Sequence, residues 1–138
     1  MRGCSSYPFS ITENTTVVIL DDDSSIHLTW ENRFKNEGKS AKAINLVKFS
    51  HADEVLAWQM SGKAPKDAIY LCDYQLNHQS RNGLDVIEEL AIQERSVLVT
   101  GHFEEREVRE RCMAQGVRLV PKELIGFLPI HVAPPVTA

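Results

Sequence analysis

"IYLCDYQLNHQSRNGLDVIEEL", residues 69–90, decides how this chain folds. It opens as an apolar strand, breaks into a polar loop, and resumes with Leu84, Ile87 and Leu90 at helical spacing. Asn82 stands where a helix cap belongs. Asp73 stands at the junction between strand and loop. A carboxylate there serves either as a turn or cap residue, or as a chemical group. The second use needs partners from elsewhere in the sequence.

Working outward, the same strand-then-helix alternation recurs. "TVVIL" (16–20) is β-branched and apolar throughout, as a strand covered on both faces would be. "DDDSS" stops it, with Ser24 or Ser25 as N-cap of a helix on Ile26, Trp30 and Phe34, ended by Gly38. "AINLVKF" (43–49) is a second strand and "ADEVLAWQM" (52–60) a second helix. "AIYLC" (68–72) is the third strand and "SVLVT" (96–100) the fourth. "FEEREVRERCMAQ" (103–115) is a helix closed by Gly116, and "VRLV" (117–120) the fifth strand. The fifth helix is poor: "ELIGFLPIHVAPP" contains Gly126 and Pro129, so it holds only a turn or two. This order predicts an α/β protein with a five-stranded, parallel, doubly wound sheet, its fifth helix short or degenerate.

The chain has 138 residues, enough for one domain with a single sizeable core. Residues 1–15 read as a polar lead-in, 16–130 as the domain and 131–138 as a proline-rich tail. A net charge of -4 argues against nucleic acid or an anionic membrane as primary partner. No apolar run approaches the ~20 residues of a membrane helix, and the start lacks the apolar stretch of a signal peptide. Three cysteines at no metal-ligand spacing suit a reducing cytosol. The scattered histidines argue against a metal site built on imidazole.

In an open α/β sheet, ligands bind outside the carboxyl ends of the strands. Asp21, Asp22 and Asp23 follow the first strand and Asp73 the third. Thr100 ends the fourth, and Lys122 follows the fifth. Such a fold gathers these distant residues on one edge. Packing successive aspartates together raises their energy unless a cation intervenes.

The ordered set "VVILDDDSSI", "IYLCDYQL…NGLDVIEEL", "SVLVTG" and "GVRLVPKE" resembles the receiver domain of bacterial two-component response regulators, over residues 16–125. The resemblance implies that Asp73 accepts a phosphoryl group from a histidine kinase. It implies that Asp21, Asp22, Asp73 and the backbone carbonyl of Gln75 hold Mg2+, with Asp22 a direct ligand. Thr100 matches the switch hydroxyl and Lys122 the lysine of the site. The implied protein is a cytoplasmic signalling module, monomeric or weakly dimeric, that passes its state to a downstream protein and at most slowly dephosphorylates itself. The "IHLTW" helix and the "VPKELIGF" ending look like receivers of hybrid kinases.

The sequence departs from that pattern in places. The loop after Asp73 is about two residues longer than usual, and Asn77 stands where proline is common. Leu119 replaces an aromatic, and proline precedes Lys122 rather than following it, where Glu123 stands. Two other functions fit parts of the sequence. One is a haloacid-dehalogenase-type phosphatase with Asp21 as nucleophile and Asp23 as acid/base, opposed by the lack of an acidic pair after a late strand. The other is an interaction module with the same fold but no phosphorylation, opposed by the complete acid set. His102 reads as a loop residue able to orient water. Asp23 reads as an exposed turn acid, Cys72 as a buried small hydrophobe, and Trp30 and Trp58 as packing residues. "EEREVRERC" reads as a solvated helix face.

Overall fold

The computed structural model describes residues 9–35, 44–128 and 130–133. Gly38, expected to end the first helix, lies outside them. The elements are β1 (Phe9–Thr12), β2 (Thr16–Leu20), α1 (Ser24–Lys35), β3 (Asn45–Phe49), α2 (Ala52–Met60) and β4 (Ile69–Cys72). They continue with α3 (Gly83–Leu90), β5 (Ser96–Thr100), α4 (Arg106–Gln115), β6 (Arg118–Pro121) and β7 (Ile130–Ala133). The main sheet is five-stranded and parallel, in the order β3-β2-β4-β5-β6.

Both faces of this sheet are covered, which is why β2 and β5 are buried at every position and apolar apart from Thr16, Ser96 and Thr100 at their ends. In β2, Val18 and Leu20 join the core beneath α2, α3 and α4, together with Val55, Leu84, Ile87, Leu98 and Val108. Val17 and Ile19 point the other way, into a core with Trp30 and Phe34 of α1. The period of two thus feeds two cores from one short strand.

Helix starts follow local chemistry. Asn82 caps α3: its side chain accepts from Asp85 N at 2.9 Å, and Asp85 accepts from Asn82 N at 2.8 Å. At α1 the expected serine cap is replaced by Asp23, whose Oδ1 accepts from Ser25 N at 2.9 Å. Asp23 precedes the first helical residue, and a carboxylate there meets both an orphan N–H and the positive end of the helix dipole. α4 starts at Arg106 rather than 103, because residues 101–104 are held in a turn by the Glu105 N to His102 O bond at 3.0 Å.

The end of the domain departs furthest from regular α/β alternation. In place of a fifth α-helix, Lys122–Phe127 forms a 3₁₀ helix, as its Gly126 and the following Pro129 suggested. Ile125 and Leu128 pack into the α1-side core with Trp30 and Phe34. Arg33 Nε donates to Ile125 O at 3.0 Å and Arg33 Nη2 to Leu128 O, pinning the segment to α1. The chain then forms β7, which pairs in parallel with β1 in a separate two-stranded sheet, Phe9 opposite Ile130. Two stretches read from sequence as lead-in and tail boundary are therefore joined, and Ile11 of β1 is buried in the same core.

Candidate functional site at the carboxyl edge of the sheet

The chain leaves β2 for β3 on one side, then returns to lay β4 on the other. The sheet order therefore reverses between β2 and β4, and a crevice opens beyond their carboxyl ends. Leu20 is in register with Cys72, so the next residues, Asp21 and Asp73, lie side by side. The ladder continues through them: Asp73 N donates to Leu20 O at 2.8 Å, and Asp21 N to Phe49 O at 3.1 Å. His27 Nε2 donates to Asp21 O at 2.7 Å and fixes the turn from the α1 side. Both acids are buried, while Asp22 is half-buried and Asp23 exposed.

Asp21, Asp22 and Asp73 each present an oxygen within 4.8 Å of the others. Lys122 reaches in from the start of the 3₁₀ helix, its Nζ 3.1 Å from Asp21 Oδ2 and 3.0 Å from Asp73 Oδ2. Asp73 Oδ1 accepts from Tyr74 N at 2.8 Å, and Asp22 Oδ2 accepts from Asn77 N at 2.9 Å. Burial pushes the Asp21 carboxyl up to about 6, and the neighbouring Asp73 charge adds to the rise, against the pull of Asp23 N–H and Lys122. Burial works against the Lys122 charge, yet the Asp21 and Asp73 carboxylates outweigh it and raise its pKa.

Thr100, fully buried at the end of β5, accepts at Oγ1 from His102 N at 3.1 Å. Gln75 lines the cleft with Asp22, Asp73, Asn77, His102 and Lys122, enclosing about 370 Å3. All the site residues expected from the sequence thus lie at one edge. Asp23 also borders the cleft, but its carboxylate is turned to Ser25, whose N–H and hydroxyl hold its pKa below the usual range. Cys72 is buried, and burial pushes its thiol up to about 12, with the Asp73 and Asp21 charges adding to it, so it is no nucleophile.

Two contributors were not legible as site residues. A Cβ on Gly83 would stand 1.9 Å from Asp73 O. Gly83 N donates to Tyr74 O at 2.9 Å, so this close approach of backbones holds the carboxyl end of β4 in place. Asn77 lends Asp22 its backbone N–H, a contact that depends on loop path and gives no sign in side-chain chemistry.

No family model matches the sequence, and no curated protein matches it. Solved structures do match. The response regulator receiver domain from Rhodospirillum rubrum superposes with a TM-score of 0.61 at 19% identity, over 82% of this chain and 92% of that one. The fold is that of a receiver domain. A CheY-like receiver domain protein from Methanospirillum hungatei JF-1 aligns at TM-score 0.60 and 20% identity, over 78% of this chain and 81% of that one. The Mn(2+)-bound form of response regulator Rcp1 aligns at 0.64 and 11%, over 83% and 99%. At such identities the likeness is one of fold. Among the described residues, no helix is long and apolar enough to cross a membrane.

Proposed function

We propose that the protein is a phosphoacceptor signalling domain in which Asp73 takes a phosphoryl group from a histidine kinase or a small phosphodonor. One observation carries this reading. Asp73 is clustered with two further carboxylates and one lysine at the mouth of a cleft, where a structural acid would have a single capping partner.

The donor set fits a hard divalent cation. Three carboxylates face one ammonium, and oxygen ligands with room for water suit Mg2+. Asp21, Asp22, Asp73 and the Gln75 carbonyl would hold it. When bound, it would neutralise charge on the phosphoryl oxygens as the two anions approach.

The remaining work falls to the chain itself. Tyr74 N–H orients the Asp73 carboxylate through Oδ1. An Asp73 oxygen attacks phosphorus, and the bond from phosphorus to the donor breaks with its electron pair leaving on the donor. Lys122, a compact charge already 3.0 Å from Asp73, pairs with a non-bridging phosphoryl oxygen. Thr100 accepts from His102 N, which leaves its hydroxyl proton available to donate to a second oxygen. Drawing Thr100 toward the cleft carries the 101–105 turn with it, and that movement is the signal offered to a downstream protein. The domain is a switch rather than an enzyme with turnover as its purpose.

Incubation with a small acyl phosphate and Mg2+ tests this. Intact mass should rise by one phosphoryl group, and a chelator should prevent the rise. An unchanged mass under conditions that keep the protein folded would defeat the proposal.

A further inference from the structure

His102 is not needed for phosphoryl acceptance as derived above, yet it is placed with care. It lines the cleft with Asp73 and Lys122. Its Nδ1 is paired with the Glu105 carboxylate three residues on. Its ring lies 6.2 Å from the ring of Tyr74, the residue after the acceptor. An ionised carboxylate only accepts, so Nδ1 is the donor in this pair, and in the neutral ring the lone pair is then at Nε2. A histidine fixed in this tautomer by an acid partner is arranged as a general base.

We propose that His102, oriented by Glu105, is the general base for hydrolysis of the phosphorylated Asp73, and so sets how long the signal lasts. The inference rests on the phosphoacceptor reading. Water attacks phosphorus and gives a proton to His102 Nε2. The bond between phosphorus and the Asp73 oxygen breaks, with its electron pair returning to the carboxylate. Inorganic phosphate leaves, and the imidazolium, stabilised by Glu105, releases its proton to solvent. The backbone bond from His102 N to Thr100 Oγ1 makes the timing specific. When Thr100 moves to the phosphoryl group, it brings the base with it.

The experiment follows decay of the labelled protein after the phosphodonor is removed, with Mg2+ present throughout. His102→Ala should slow decay about a hundredfold, and Glu105→Gln should slow it less. His78→Ala, on the neighbouring loop, should decay like wild type. Free imidazole should restore part of the lost rate in His102→Ala, and decay of the wild type should be slower in heavy water by a larger factor than decay of His102→Ala. Equal decay in wild type and His102→Ala would overturn the proposal while leaving Asp73 as acceptor. Slower decay that imidazole does not restore, with an unchanged solvent isotope effect, would overturn it too, by making His102 a structural prop. Failure of wild type to label at Asp73 would instead defeat the phosphoacceptor reading, and this inference with it.

Discussion

The carboxyl edge of the sheet and the segment after β6 lie next to each other, yet they obey different constraints. At the edge, Asp21, Asp73 and Thr100 each follow or end a strand, and register alone brings them together. After β6, a 3₁₀ helix and the β1–β7 pair fill the flank of α1 where sequence patterning allowed only a stunted helix. The first region must place atoms to a fraction of an ångström. Beyond Lys122, the second has only to bury apolar surface, which Ile11 of β1, Ile125 of the 3₁₀ helix and Leu128 after it do. Site geometry tolerates little variation, whereas the closing of a core can be met in many ways.

The largest expected effects separate these two demands. Gly83→Ala drives a methyl group into Asp73 O, and backbone must shift to relieve it, at about 3 kcal/mol. Ile125→Ala opens a cavity under α1 at a similar cost, about 3 kcal/mol. Urea denaturation should show both losses. Only Gly83→Ala should also impair phosphoryl labelling, since it displaces Asp73. Equal impairment by Ile125→Ala would mean that the closing segment positions the site after all.

A smaller effect comes from Asp21. Its carboxyl has an ordinary value of 3.8 and is raised to about 6 by burial first and then by Asp73. The folded state therefore binds this proton more tightly than the unfolded chain does. The stability it contributes is complete below the unfolded value and is lost as pH rises through the folded one, on the order of 3 kcal/mol. Asp21→Asn should flatten that part of the pH profile and make the metal-free protein more stable near neutrality. A neutral-pH stability loss in Asp21→Asn would show that its pairing with Lys122 outweighs burial.

The fold was legible wherever a strand is buried on both faces, because "TVVIL" and "SVLVT" leave little other choice; β2 and β5 fall on those residues. The acids were legible because topology predicts where strand ends converge. β1 and β7 were not, since "FSIT" and "IHVA" interrupt their apolar residues with polar ones and their pairing joins segments far apart in the chain. The start of α4 was misplaced because Phe103 and Glu104 suit a helix, while Thr100 and His102 hold the turn before it. Gly83 gave no sign because the atom it approaches lies in backbone ten residues earlier in the chain.

Smaller again is the contrast between neighbouring aspartates. Asp22 faces Asp21 and Asp73, whereas Asp23 caps α1. Asp22→Ala should remove most of the thermal stabilisation that Mg2+ confers. Asp23→Ala should lower stability modestly as a lost cap and keep the Mg2+ response. Equal loss of that response would put Asp23 among the ligands. The smallest effect is expected in assembly. Leu119 has no ring to swing behind Thr100, and the 3₁₀ segment offers no full helical face. A beryllofluoride mimic of the phosphoryl group should leave the sedimentation coefficient that of a monomer, and a shift to dimer abolished by Leu119→Glu would contradict this.

The most direct measurement asks which carboxylate is modified. Borohydride reduces an aspartyl phosphate to homoserine, so labelled protein can be trapped, digested and sequenced by mass spectrometry. Homoserine is expected at position 73 alone, with none in Asp73→Asn. Homoserine at position 21 would contradict it and favour a phosphatase that uses Asp21 as nucleophile.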